Sequence, residues 1–146
     1  MVASGIFGGI GVKIRWRDRH NCPAEAIYVS LSRGASAAEH PGALAYAMPS
    51  EGRQSVVFLD RVSYTDPSVS GRLLGYTLAH EVAHILEGAI RHSESGIMKA
   101  HWGLRDQYQM RRGRLCFADE DVGLIYQGLD RRESRLVASA VGNRIQ

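Results

Sequence analysis

The hydrophobic period of the chain changes once, and that change restricts the fold more than any other feature. From Gly11 to Leu59 the apolar residues fall in short runs bounded by glycine, proline and polar residues; from Val69 to Glu87 they recur about every 3.6 positions. Short alternating or β-branched runs suit strands, and the later period suits one long helix. Strands are expected at Gly11–Trp16, Ala26–Leu31, Ala43–Met48 and Ser55–Leu59. Ser32–Gly42 reads as a loop, and Pro49 stops the third strand. Asp66-Pro67-Ser68 starts the long helix and Gly88 caps its end. A short helix built on Val2, Ile6, Phe7 and Ile10 and closed by Gly11 comes first. A helix from about Asp119 to Val137, acidic at its start and arginine-rich at its end, comes last. The expected fold is α+β: one mixed, twisted sheet of about four strands packed on the long helix, followed by the C-terminal helix, in a single domain over residues 1–146.

A chain of 146 residues can bury roughly 70% of its unfolded surface, so it needs no covalent staples. Its two cysteines, Cys22 and Cys116, allow one bridge at most and lack the spacing of a thiolate metal site. No run approaches the ~18 consecutive apolar residues of a membrane span. The net charge of +3 comes mainly from two arginine clusters, Arg111-Arg112-x-Arg114 and Arg131-Arg132-x-x-Arg135. These alternate with Asp119, Glu120, Asp121, Asp130 and Glu133, which reads as a solvated face of mixed charge rather than a nucleic-acid surface.

The chemistry concentrates at His80-Glu81-Val82-Ala83-His84, in the middle of the long helix. Positions four apart lie on one helical face, so both imidazoles can reach one ion. Leu74, Leu78, Val82, Ile85 and Leu86 cover the other side, which leaves the histidines facing a cleft. Glu81 borders the histidine face, where its carboxylate can reach water at a metal without being a ligand. Zinc lowers the pKa of such a water, and a carboxylate can then take its proton. A catalytic zinc keeps three protein ligands. Gly88 lets the chain reverse, which makes His92 the leading third ligand; His101, Glu94 and Glu87 compete, Glu87 more weakly. His101 and Tyr108 are candidates for oxyanion contacts, and His40 for a subsite.

His80-Glu81-x-x-His84-x-x-x-Gly88-x-x-x-His92, followed by Ser93-x-x-Gly96-Ile97-Met98, resembles the metzincin zinc metallopeptidases. Their signature is H-E-x-x-H-x-x-G-x-x-H with a methionine turn beneath the zinc. One extra residue on each side of the glycine places His92 eight positions after His84 rather than six. The longer spacing and the tail from Gly96 to Trp102 are most similar to small bacterial zincin-like proteins. The resemblance implies one zinc held by His80, His84 and His92, Glu81 as general base, Gly88 as the turn and Met98 as the methionine of that turn. It also implies a zincin fold in which Ala43–Met48 is an antiparallel edge strand that aligns an extended peptide substrate, and peptide-bond hydrolysis as the reaction. The family's strand ahead of the first helix has no counterpart here. The expectation is therefore that the native chain extends upstream of Met1 with a secretion signal, and that a chain starting at Met1 would be cytoplasmic. The alternative function is a zinc-binding module that docks a partner without catalysis.

Overall fold

The computed structural model describes residues 1–142 except 24, 34–40, 49–52 and 64–66. In chain order the elements are α1 (Val2–Gly8), a single 3-10 turn (Arg19–Asn21), β1 (Tyr28–Ser32), β2 (Ala45–Met48), β3 (Gln54–Phe58), α2 (Leu59–Ser63), α3 (Pro67–Glu87), α4 (Leu104–Arg111) and α5 (Asp119–Gly142). The protein is α+β. The sheet has the order β1-β3-β2, with β1 parallel and β2 antiparallel to β3. β2 is thus an edge strand, as expected. Val57 is wholly buried in the central strand, and Ser55 and Phe58 nearly so. This strand packs against α3.

The expected strand at Gly11–Trp16 does not form, so the described sheet has three strands instead of four. A strand needs a neighbour for its N–H and C=O groups. Val12 to Arg17 instead faces β1 across a cavity of about 1010 Å³, whose wall includes Ile14, Val29, Leu78, Val82 and Leu86. Trp16 is tied to the first helix, its indole N–H donating to Ser4 Oγ at 2.8 Å. Leu59, read as the end of the fourth strand, opens α2, and the stretch read as irregular after Trp102 contains α4. That helix is mostly polar, with only Asp106 and Met110 buried, so it carries no clear apolar period. The expected loop around Gly34 and His40, the stop at Pro49 and the helix start at Asp66 lie outside the described residues.

α3 runs through the centre of the molecule. Leu73, Tyr76, Leu78, Ala79, Val82, Ala83, Ile85 and Leu86 are all buried on it. Burying a large aliphatic side chain contributes roughly 1.5–3 kcal/mol. Those contributions offset the desolvation of five polar residues on the same helix, namely Thr77, His80, Glu81, His84 and Glu87. α1 closes one flank, where Phe7 meets Phe117 at a ring-centroid distance of 5.2 Å. α5 closes the C-terminal end: a Cβ on Gly128 would lie 1.7 Å from the Leu86 carbonyl oxygen, so only glycine permits that approach. Arg131 Nη2 then donates to the Glu87 carbonyl at 3.0 Å and caps α3.

Two arginines read as solvated thus bond backbone carbonyls, because Arg132 similarly donates to the carbonyl of Glu25. Asp121, read as part of the same solvated face, is completely buried. Both departures arise because α5 lies across the end of α3, a contact no local pattern encodes. Cys22 and Cys116 are free thiols. Among the described residues no helix is long and apolar enough to cross a membrane.

Candidate metal centre

His80 and His84 lie one helical turn apart on α3, and both are buried, 8% and 3% exposed. Of the three expected ligands only His92 is exposed. His80 Nδ1 lies 2.8 Å from the Ile97 carbonyl oxygen, and His84 Nδ1 lies 3.1 Å from that of Ala89. A carbonyl oxygen only accepts, so each Nδ1 carries the proton and each Nε2 of the neutral ring holds a bare lone pair. Those two Nε2 atoms stand 2.9 Å apart. Burial lowers the pKa of His80, and burial together with the neighbouring His80 and His92 pushes that of His84 down to about 3. Protonation is therefore no way to relieve the facing lone pairs near neutral pH.

His92 completes the group. Its ring centroid is 5.4 Å from that of His80 and 5.1 Å from that of His84. One ring nitrogen from each of the three residues lies within 4.8 Å of the others, and among the described residues only these form such a group. The path to His92 follows from α3's end. Gly88 N donates to the His84 carbonyl at 3.0 Å, and the glycine's φ of +73° turns the chain out of the helix. The return is a tight loop. Ser93 N donates to the Met98 carbonyl at 2.8 Å and Ile97 N to the Cys116 carbonyl at 3.0 Å. Gly96 takes a φ of +73°, and a Cβ there would sit 2.5 Å from the Cys116 oxygen. Met98 is wholly buried in the main hydrophobic core, where it offers no polar group.

Glu81 is 5% exposed, and its Oε2 has no hydrogen-bond partner. Burial alone raises its pKa to about 8. Glu87, the weakest rival ligand, is outside the triad. Both its oxygens are buried without a partner, and burial with the nearby charge of Asp121 raises it to about 7. His101 and Glu94 are exposed and also outside the triad, although the charge of His101 adds to burial in lowering the pKa of His92. Tyr108 is exposed and stacks under the Arg112 guanidinium at 4.8 Å. His40 lies outside the described residues.

Two groups that shape the site had no assigned role in the sequence reading. The Ile97 carbonyl accepts from Trp102 Nε1 at 3.1 Å as well as from His80, so the loop backbone fixes the His80 ring. A backbone carbonyl has no sequence signature. Trp102 had only its place in the family-like tail.

The donor set fits a metal ion. Three neutral imidazoles converge, two of them with facing lone pairs that a cation would reconcile, and the next residue after His80 is the buried Glu81, whose Oε2 has no partner. Imidazole nitrogen suits zinc, and so does a set of three ligands that leaves a coordination position free. No family model, curated protein or solved structure matches the chain.

Proposed function

We propose that this protein is a zinc-dependent metallopeptidase of the metzincin type. His80, His84 and His92 would hold the ion, and Glu81 would serve as the general base. The observation that carries the reading is the pair of bare Nε2 atoms 2.9 Å apart, on the same helix as the buried Glu81, whose Oε2 has no partner. Burying such groups destabilises a fold unless a ligand uses them. Zinc bound there supplies Lewis acidity, polarising a scissile carbonyl and bringing the pKa of water towards neutrality.

The chain's own residues do the rest. The carbonyls of Ile97 and Ala89 hold both buried rings with Nε2 turned inward. Glu81 Oε2 takes a proton from the attacking water and passes it to the leaving amine nitrogen. To do so the carboxyl must be ionised. Its burial holds it near pKa 8, and a neighbouring positive charge brings it down. β2, at the sheet edge, offers backbone N–H and C=O groups to an extended peptide, which favours a peptide or protein substrate over a nucleic acid.

The test is metal analysis paired with one substitution. Protein reconstituted with zinc should retain about one ion per chain. Glu81→Gln should keep that zinc while hydrolysis of an unfolded protein substrate falls by roughly 10²–10⁴-fold. Zinc content near zero overturns the proposal, and so does loss of zinc from Glu81→Gln. A parent that holds zinc yet hydrolyses no peptide is instead a zinc-binding docking module.

A further inference from the structure

His92 sits on no helix or strand: the chain from Ile90 to Gly103 is made of bends and turns between α3 and α4. Its two chain neighbours are both anchored to α5. Arg91 Nη1 donates to Asp121 Oδ1 at 2.9 Å, and the Ser93 hydroxyl donates to that same oxygen. Arg91 Nη1 also lies 3.1 Å from Ser93 Oγ, so the three side chains form a closed set. The second carboxylate oxygen, Oδ2, accepts from Ala118 N at 3.3 Å at the start of α5. Asp121 has no exposed surface, so these donors replace its water. Arg91 reaches Glu120 as well, at 2.9 Å, but that carboxylate is largely solvated.

We propose that Asp121 is a positioning residue for the metal centre: from the first turn of α5 it clamps Arg91 and Ser93 and so sets where His92 presents its ring. This rests on the zinc reading above. Partners that orient ligands commonly matter 10–100-fold in metal affinity. Here the orientation acts through both flanking residues rather than through the imidazole itself.

The experiment compares the full chain with Asp121→Asn, Ser93→Ala and Glu120→Gln. Three readouts are used: the zinc dissociation constant by chelator competition, the visible absorption of the Co²⁺-substituted protein, and the rate of tryptic cleavage after Arg91 in stripped protein. Asp121→Asn should weaken zinc by roughly 10–100-fold, shift the cobalt bands and speed cleavage at Arg91–His92. Ser93→Ala should move all three in the same direction by a smaller factor, and Glu120→Gln should match the parent. A folded Asp121→Asn with parental zinc affinity and cobalt spectrum overturns the proposal, even if cleavage is faster. Should Asp121→Asn fail to fold, Ser93→Ala decides by the same criterion. A parent that binds no zinc overturns the metal reading and the positioning role with it, and this failure is distinct because it appears before any substitution.

Discussion

The two halves of the candidate metal centre are built differently. His80 and His84 ride on α3, whose apolar side chains are buried on several faces, and each ring is fixed by a backbone carbonyl. His92 rides on a loop with no regular structure, placed by one glycine turn and by side chains bound to another helix. The first half needs no chain ordering beyond a helix that the core already requires. The second must order a dozen residues of irregular chain, at roughly 1–2 kcal/mol of backbone entropy each, against a few hydrogen bonds. The helical pair should therefore be ready before the ion arrives, whereas the loop depends on its anchors.

The largest effects test which side chains are ligands. Structural zinc sites with four ligands are worth about 10–16 kcal/mol, so removing one ligand should weaken binding by roughly 10²–10³-fold. His84→Ala and His92→Ala should both show such a loss in chelator competition, while His101→Ala and Glu94→Ala bind like the parent. Parental affinity in His92→Ala would break the comparison by leaving the loop outside the site.

The next effect belongs to the loop alone. Gly96→Ala places a Cβ at positive φ and against the Cys116 oxygen 2.5 Å away. Thermal and urea unfolding should show a loss of about 3 kcal/mol, from the backbone conformation and the displaced loop together. A loss under 1 kcal/mol would mean that the loop relaxes freely and that its shape is less constrained than α3.

The smallest effect probes the seam between the halves, where Glu87 at the end of α3 is influenced by both Asp121 and Arg91. Its folded pKa, about 7, lies above the ordinary 4.5, so the folded state holds a proton that the unfolded chain releases. The associated stability is complete below pH 4.5 and is lost as pH rises through 7. Glu87→Gln cannot ionise. Metal-free Glu87→Gln should thus match the parent at pH 4.5 and exceed it by about 3 kcal/mol at pH 8.5 in urea unfolding. Equal midpoints at both values would place Glu87 in a more solvated seam than its burial indicates.

Much of this architecture is legible in the residues. The expected helix over Val69–Glu87 forms as Pro67–Glu87, and the expected strands Ala26–Leu31 and Ala43–Met48 form with shifted ends. Gly88 ends α3 as its position demands. Such features are local: they depend on a period, a cap or a turn within one segment. The strand expected at Gly11–Trp16 fails for the converse reason, since alternation can prepare a strand but cannot supply its neighbour. α4 escapes notice because its sequence is mostly polar.

The same division governs the site. Sequence alone determined that His80 and His84 share a face and that Glu81 lies between them, because the helix pitch fixes both within one turn. It also marked His92 as the nearest histidine beyond the reversal at Gly88. Only the tertiary structure decided that His92 reaches the pair, that Glu81 Oε2 is buried without a partner, and that Asp121 grips Arg91 and Ser93. Each of those facts joins segments separated along the chain. An acid in the first turn of α5 has the same local pattern whether it faces water or the half-buried Arg91; the packing of α5 across the end of α3 makes that choice.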